Sequence, residues 1–262
     1  MADWGIFAGS NRYQGQAITN ATPGVNAKGT WAQVTASTPF NSCGVVVQWR
    51  GNAGAPYYAL IDIGIGASGS ELVIVPNIAG GNVSNTDDIW NQPIIFHCEI
   101  PAGTRVAVRA AASSSSTTQI SIGFVAAAFD SLPALSLITD YGSSVGSSRG
   151  TLVTMPGSGT GSWAQITAST SSAMRMMGIM ITSNTTTNGI EFKLDIGIGA
   201  AGSEQVVLSQ LSFLGRPSTR GVFPQHLFWL PVDIPAGTRL AARFTFIGGT
   251  VSNFYVSIMG AS

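Results

Sequence analysis

The segment IDIGIGASGSE at Ile61–Glu71 recurs as LDIGIGAAGSE at Leu194–Glu204. Two further pairs of segments flank it in the same order: GTWAQVTAST at 29–38 with GSWAQITAST at 161–170, and IPAGTRVAVR at 100–109 with IPAGTRLAAR at 234–243. Collinear matches at a nearly constant offset indicate an internal repeat. The 262-residue chain is therefore predicted to contain two copies of one domain.

The repeat also predicts where each domain begins and ends. We expect an N-terminal domain over 1–130, a connector over 131–139 and a C-terminal domain over 140–262. Each copy is long enough to bury a core of its own. The connector, SLPALSLIT, carries a proline and four Leu or Ile residues. It is too apolar for a free linker, so we predict that it docks against the domains.

Within each copy, short runs of β-branched and apolar residues alternate with Gly-rich turns. In the first copy these runs predict strands at 31–35, 43–50, 58–65, 72–75, 94–100, 105–110 and 119–129. Pro76 is expected to end the fourth of them. No stretch shows helical periodicity. The pattern predicts an all-β protein made of two tandem antiparallel β-sandwiches that are jelly-roll-like.

Composition excludes several classes of protein. Only 9% of residues are charged, and 12 basic residues balance 12 acidic ones. A nucleic-acid-binding protein needs a clustered basic surface, so we predict no nucleic-acid partner. The longest apolar runs span about ten residues where a membrane helix needs about 20, so we predict no membrane insertion. The segment Met1–Ser10 has no signal-peptide pattern. Cys43 and Cys98 are accordingly expected to be packed, reduced thiols, with a disulfide between them as the alternative.

The glycines of the recurring segment satisfy the pattern G-x-G-x-x-G, at 64–69 and again at 197–202. A dinucleotide site requires a helix to begin there. The residues that follow, 71–75 and 204–208, are strand-like instead. We interpret Gly64 as allowing close approach of backbone or a neighbouring ring, and the later glycine as part of a hairpin turn. No cofactor is predicted.

Charged residues at matching positions in the two copies are the sharpest candidates for a role. We predict that they form structural ion pairs, with a ligand contact or catalysis as the alternatives: Asp62, Asp195, Glu71, Glu204, Arg105, Arg239, Arg109 and Arg243. Arg105 and Arg109 are four residues apart on one strand and share a face. We expect that face to meet Glu99 across the turn at 101–103.

No constellation predicts catalysis or a metal site. His97, Cys98 and Glu99 are consecutive on a predicted strand, so neighbouring side chains point to opposite faces. The other histidine, His226, has no clear counterpart in the first copy. The loop containing Asp87 and Asp88 is an alternative calcium site, although it lacks the spacing of an EF-hand.

Aromatic and methionine residues are candidates for contacts with partners. Trp31 and Trp163 match each other, which favours core packing. The methionines at 174, 176, 177 and 180 are expected in the core or between subunits. Aromatic residues in the diverged segments suit a protein interface or stacking on sugar: Trp4, Trp90, Phe223, Phe228 and Trp229.

The segments at Asp62–Glu71 and Asp195–Glu204, with the IPAGTR hairpins at Ile100 and Ile234, resemble tandem jelly-roll structural proteins of tailed-phage virions. These are head-decoration, head-spike and tail-fibre-base proteins. The resemblance implies a non-enzymatic virion component, made in the host cytoplasm, that binds other capsid or tail proteins and forms homo-oligomers. The alternative is a tandem lectin-like module that binds a host glycan.

Overall fold

The structure is a computed structural model, and it describes residues 16–18, 25–52, 57–82, 94–113, 117–126, 137–183, 190–214, 227–249 and 253–262. The described residues are almost entirely β-structure, with a single turn of 3₁₀ helix at Val145–Ser147. Among them, no helix is long and apolar enough to cross a membrane. The chain forms four antiparallel sheets that pair into two β-sandwiches.

The first sandwich contains eight strands: β1 (Gln16–Ile18), β2 (Ala32–Thr35), β3 (Ser42–Asn52), β4 (Tyr57–Ile65), β5 (Leu72–Asn82), β6 (Ile94–Ile100), β7 (Val106–Ala112) and β8 (Thr117–Ala126). Sheet 1a has the order β1-β8-β3-β6, and sheet 1b has the order β2-β7-β4-β5. In both sheets, strands that are distant in sequence are neighbours, such as β1 with β8 and β2 with β7. Two Greek keys produce this order, so the first sandwich is a jelly roll.

The second sandwich repeats this arrangement with ten strands: β9 (Ile138–Tyr141), β10 (Thr151–Thr154), β11 (Gly159–Thr160), β12 (Ala164–Thr167), β13 (Met174–Ser183), β14 (Glu191–Ile198), β15 (Gln205–Leu214), β16 (Phe228–Ile234), β17 (Leu240–Gly248) and β18 (Asn253–Ala261). Sheet 2a has the order β10-β18-β13-β16, and β9 also pairs with β18. Sheet 2b has the order β11-β17-β14-β15, and β12 also pairs with β17. The predicted all-β fold of two jelly-roll-like sandwiches is confirmed.

The structure extends one predicted strand and contradicts the prediction of IPAGTR hairpins. Strand β5 continues through Pro76 to Asn82, where an end at Pro76 was expected. The proline is tolerated because β5 is an edge strand and its register with β4 shifts at this point, as in a β-bulge. The turns at 101–103 and 235–237 are not hairpins, because β6 and β16 lie in sheets 1a and 2a, whereas β7 and β17 lie in sheets 1b and 2b. Each turn carries the chain from one sheet to the other.

The core of each sandwich lies between its two sheets. Ile61 and Ile63 of β4 are fully buried in the first, and Leu194 and Ile196 of β14 are fully buried in the second. The apolar cluster of the first sandwich does not end at the domain limit. It includes four buried residues from the second sandwich: Ile138, Met180, Met259 and Ala261.

Part of the predicted connector is described. Ile138 is buried within β9, which pairs with the last strand of the chain, and Leu137 is exposed. The Leu137 carbonyl accepts a hydrogen bond from the Ser262 backbone N–H at 3.3 Å. Residues 131–136 lie outside the described residues, so the extent of the connector stays a prediction.

Candidate functional site

The matched charges of the first repeat lie together on the outer face of sheet 1b. Since Ile61 and Ile63 point into the core, Asp62 points outward from β4. Its Oδ2 accepts a hydrogen bond from Arg109 Nε at 2.9 Å. Beside this pair, Arg105 Nη1 donates to Glu71 Oε1 at 2.8 Å. We call these four residues the first charge cluster.

The second repeat builds the same arrangement. Arg243 Nε donates to Asp195 Oδ2 at 2.9 Å, and Arg239 Nη1 donates to Glu204 Oε1 at 3.0 Å. These four residues form the second charge cluster. All eight matched charges are thus in ion pairs within their own repeat. Arg105 and Arg109 bind Glu71 and Asp62, not Glu99, because Glu99 is an exposed residue of β6 in the opposite sheet.

A tryptophan covers each charge cluster. The guanidinium of Arg109 lies 4.5 Å from the centroid of Trp31, and that of Arg243 lies 4.3 Å from the centroid of Trp163. Both tryptophans are half-buried on an outer sheet face. The prediction that they pack in the core is wrong. Each indole ring lies on the outside of its sheet, over a glycine.

That glycine is the first one of the recurring segment. A Cβ on Gly64 would lie 2.7 Å from Cη2 of Trp31, and a Cβ on Gly197 would lie 2.8 Å from Cη2 of Trp163. The interpretation of Gly64 as a close-approach site is confirmed. Gly69, with φ of 85°, lies in the hairpin between β4 and β5, where a side chain would be strained.

In each repeat, the matched aspartate also accepts a hydrogen bond from a backbone N–H that the neighbouring edge strand leaves unpaired. Asn77 has φ of 49° in the irregular part of β5, and its N–H donates to Asp62 Oδ1 at 2.9 Å. Gln210 has φ of 54° in β15, and its N–H donates to Asp195 Oδ1 at 2.8 Å. Sequence reasoning missed this role, because the bulge is visible only in the register of the two strands.

The electrostatics of the clusters stabilise charged, partnered carboxylates. Burial would raise the pKa of Glu71, but hydrogen bonds from its own backbone, Arg105 and Gly69 outweigh it, and the pKa is lowered. The same balance, with Arg239 and Gly202, lowers the pKa of Glu204. A carboxylate held in this way is poorly suited to carry a proton near neutral pH.

The first cluster has one charge without a counterpart in the second. Lys28 Nζ donates to Asp62 Oδ1 at 2.7 Å and to the Leu60 carbonyl at 3.0 Å. Burial lowers the pKa of this lysine, although Asp62 opposes the shift. Lys28 was not among the candidates, since its position carries no matched charge in the second repeat.

The second feature of interest is the junction, which we define as the outer face of sheet 2a where it covers the β5 and β6 edges of the first sandwich. Met180 of β13 is fully buried there, and its Sδ lies 3.3 Å from the Ala79 backbone N–H. Trp229 of β16 donates from Nε1 to the Ile95 carbonyl at 2.8 Å and packs edge-on against Phe96. Met259 of β18 completes this face.

The junction accounts for the methionines of β13. Met174 and Met177 belong to the core of the second sandwich, whereas Met176 and Met180 pack against the first. Met176 and Met180 are four apart and share a face, whereas a register shift between Met174 and Met176 puts Met174 on the face of Met177. The predicted core packing is confirmed for Met174 and Met177. Packing between subunits stays a prediction, since Met176 and Met180 pack between the two sandwiches of one chain.

The polar part of the junction uses two further charges, Asp140 and Arg149, whose sequence counterparts in the first copy are Asp3 and Arg12. Asp140 Oδ2 accepts from Asn77 Nδ2 at 3.1 Å, and its Oδ1 accepts from Ser143 Oγ at 2.8 Å. Burial raises the pKa of Asp140 to about 7. The guanidinium of Arg149 lies 5.3 Å from the centroid of the Tyr58 ring, which belongs to the first repeat, and 4.4 Å from the centroid of the Tyr255 ring.

Among the remaining candidates, Trp229 lies at the junction. Phe228 lies in β16, and its side chain is outside the described part of the structure. Trp4, Trp90, Phe223, His226 and the calcium loop at Asp87 and Asp88 lie outside the described residues. Cys98 is buried and Cys43 is half-buried, and no disulfide joins them. In the part of the chain that the structure describes, no group of three or more His, Cys, Asp or Glu residues could hold a metal ion.

Comparison with known proteins finds similarity in architecture alone. No protein-family model and no curated protein matches the sequence. Among solved structures, PNGF-II matches at a TM-score of 0.42 and 8% identity over 98% of this chain, which spans 65% of that protein. The major capsid protein P2 of bacteriophage PM2 matches at a TM-score of 0.31 and 9% identity, over 94% of this chain and 97% of P2.

A tandem CBM22-1-CBM22-2 domain from Paenibacillus barcinonensis Xyn10C matches at a TM-score of 0.27 and 12% identity, over 100% of this chain and 99% of that one. At such scores the likeness lies in the tandem β-sandwich layout. It carries no information about what this chain binds or does.

Proposed function

We propose that this chain is a non-enzymatic structural subunit of a phage virion, acting as a capsid-decoration, spike or tail-associated protein. It is made in the host cytoplasm and incorporated into the particle. There it contacts capsid or tail proteins and other copies of itself. The observation that carries the proposal is the junction, where one jelly roll packs its outer sheet face against the side of another.

The junction supports this role because it is built as a protein–protein interface is built. Its centre is apolar and aromatic, with Met180 and Met259 fully buried and Trp229 partly buried. A single tryptophan N–H and a few polar contacts orient the two surfaces. Interfaces with an apolar centre and a polar rim are typical of stable assemblies.

The charge clusters support a structural role in place of catalysis. Each of the four matched carboxylates accepts a hydrogen bond from an arginine of its own repeat. Two of them also hold a backbone N–H of an edge strand. These contacts brace the sheet, and catalytic use of the carboxylates would require breaking them.

Glycan binding is the alternative, and the described tryptophans do not favour it. A sugar platform needs an open ring face. Trp31 and Trp163 have arginines over their rings, and Trp229 lies at the junction. The alternative therefore depends on aromatic residues outside the described part of the chain.

The proposal is tested on particles of the phage whose genome encodes the chain. We expect quantitative mass spectrometry of density-purified particles to find the chain at a fixed ratio to the major capsid protein. Gold-labelled antibody should then locate it on the head or the tail by electron microscopy. Its absence from purified particles would overturn the proposal, and saturable binding on a glycan array would favour the alternative.

A further inference from the structure

Asp140 lies on the face of the second sandwich that packs against the first. It stands in β9 opposite Met259 of β18, and it shares a face with Ile138, two residues earlier on the same strand. Met259 and Ile138 both belong to the apolar cluster of the first sandwich. The half-buried Asp140 thus brings a carboxyl group into a largely apolar contact.

The hydrogen bonds that the described residues give this carboxyl come from neutral groups. Its Oδ1 accepts from Ser143 Oγ, and its Oδ2 accepts from Asn77 Nδ2 of the first sandwich. By contrast, each matched carboxylate of the two charge clusters accepts from an arginine. A carboxyl group that leaves water without such a partner is more easily kept protonated.

The amide of Asn77 offers an acceptor for that proton. Its Nδ2 lies 3.1 Å from Asp140 Oδ2, while its Oδ1 is buried and has no hydrogen-bond partner among the described residues. A protonated carboxyl can donate to that oxygen while it still accepts from Nδ2, whereas an ionised carboxyl can only accept. Protonation would therefore join the acid and the amide by two hydrogen bonds across the junction.

Two charged groups of the first sandwich face Asp140. Lys28 favours the ionised carboxyl and Asp62 opposes it. Strand β5, which packs against β9, contains no titratable residue. In β18, on the other side of β9, the titratable residue is Tyr255, whose hydroxyl accepts from Arg149. Among these described elements, the charges facing Asp140 thus oppose each other, and burial has the largest effect on its proton.

We propose that Asp140 is a proton-controlled latch between the two sandwiches. With a proton bound, the carboxyl and the Asn77 amide hold β9 against β5. When the proton is lost, an ionised carboxyl is left facing Asp62, and the junction opens more often while the sheets stay paired. The inference goes beyond the proposed function and does not depend on it, since it concerns how one chain holds its two halves together.

The latch holds most firmly in acid and weakens toward neutral pH. Burial raises the pKa of Asp140 to about 7 in the closed junction, whereas in an open junction the carboxyl returns toward an ordinary pKa of about 4. The closed form therefore binds the proton more tightly. Its advantage is complete below about pH 4, declines by roughly five- to tenfold for each pH unit between 5 and 7, and is lost above the raised pKa.

Hydrogen exchange at the Ala79 amide, followed by NMR on the full-length chain, measures opening of the junction. The Ala79 N–H meets Met180 Sδ across the junction, so separation of the two surfaces exposes it. After correction for the intrinsic exchange rate, its protection should fall by roughly five- to tenfold for each pH unit from 5 to 7. It should stay below the protection of the amides of the central strand β4, which exchange when the sheet itself opens.

Asp140→Asn removes the titrating group, so protection at Ala79 should no longer depend on pH in this range. Asp233→Asn is the matched control, because Asp233 is exposed on β16, and it should keep the slope of the unaltered chain. Ser143→Ala is a second variant. It removes a hydrogen bond that favours the ionised carboxyl, so it should move the titration midpoint of the Asp140 side-chain carbon-13 signal upward from about 7.

Three results would each overturn the latch. The first is an Asp140 titration midpoint near 4 in the unaltered chain. The second is a pH-dependent protection at Ala79 that Asp140→Asn retains. The third is an Ala79 amide as strongly protected as those of β4, which would mean that the junction opens only when the sheet unfolds. None of these results affects the particle test of the virion role.

Discussion

At the residue scale, Gly64 of the recurring segment differs from an exposed glycine such as Gly157. Gly64 has no room for a side chain, since Trp31 lies against it, while Gly157 has no atom within 4 Å of where a Cβ would be. We expect Gly64→Ala to reduce the free energy of unfolding by about 1–3 kcal/mol, because the indole ring must shift.

Denaturant unfolding of the matched pair of variants measures this difference. Gly157→Ala should stay within about 0.5 kcal/mol of the unaltered chain. Gly197→Ala, which meets Trp163 in the same way, should behave like Gly64→Ala. Equal stabilities for all three variants would show that the tryptophans do not pack on the glycines.

A second residue-scale prediction concerns Asp140, whose pKa is raised to about 7 mainly by burial, with Asp62 adding to the shift and Ser143, Asn77 and Lys28 opposing it. A carboxyl whose pKa rises on folding binds its proton more tightly in the native state. Its contribution to stability is therefore greatest below about pH 4 and falls as the pH rises toward 7.

Asp140→Asn removes the buried charge, and its amide can still accept a hydrogen bond from Ser143. We expect the variant to be more stable than the unaltered chain by about 2 kcal/mol at pH 8, with the difference shrinking toward pH 4. Urea unfolding across this pH range measures it. The exposed Asp233→Asn is the control, and a stability gain that does not depend on pH would contradict the assignment.

At the scale of the element, the matched aspartates connect β4 to β5 and β14 to β15. Asp62 holds Lys28, Arg109 and the Asn77 N–H, whereas Asp195 holds Arg243 and the Gln210 N–H. Removing Asp62 leaves two cations without their counter-ion and a backbone donor without its acceptor. We expect Asp62→Ala to cost about 3–5 kcal/mol and Asp195→Ala to cost about 1–3 kcal/mol.

Thermal or urea unfolding of the two variants tests this ranking. Because Lys28 is the charge that only the first cluster contains, Lys28→Met should recover part of the loss caused by Asp62→Ala. If Lys28→Met added its own full cost to that of Asp62→Ala, the two residues would not be coupled as the structure indicates.

Much of the element-level organisation follows from the sequence. The internal repeat and the alternating runs predicted the sandwiches, and the hairpin at Gly66–Gly69 follows from its turn residues. The turn at 101–103 could not be assigned in the same way, because a short turn can join strands of one sheet or of two. The continuation of β5 through Pro76 depends on β5 being at an edge, which is a property of the whole sheet.

At the scale of the whole molecule, the repeats fill their interiors differently. In the second sandwich, Phe192, Phe213 and Phe244 pack around one another with centroids 5.1–5.3 Å from Phe192. The first has Ala59, Gly80 and Ala110 at the same registers. The first sandwich also packs against Met180, Met259 and Ile138 of its neighbour.

The residues that differ between the two interiors can be read from the sequence, but only the fold shows what they pack against. The methionine spacing predicted burial without distinguishing two cores, and the tryptophan match at Trp31 and Trp163 predicted burial in the wrong place. Neither point could be decided from the sequence, because a strand pattern shows which residues share a face and only the packing of sheets shows what that face meets.

The most direct test of the account is differential scanning calorimetry of the unaltered chain and of Met180→Asp, with Ser158→Asp as the exposed control. If the second repeat completes the core of the first, the unaltered chain unfolds in one transition with equal calorimetric and van't Hoff enthalpies. The Met180→Asp profile should then split, with the first repeat unfolding at the lower temperature. Two independent transitions in the unaltered chain, or an unchanged profile for Met180→Asp, would contradict the account.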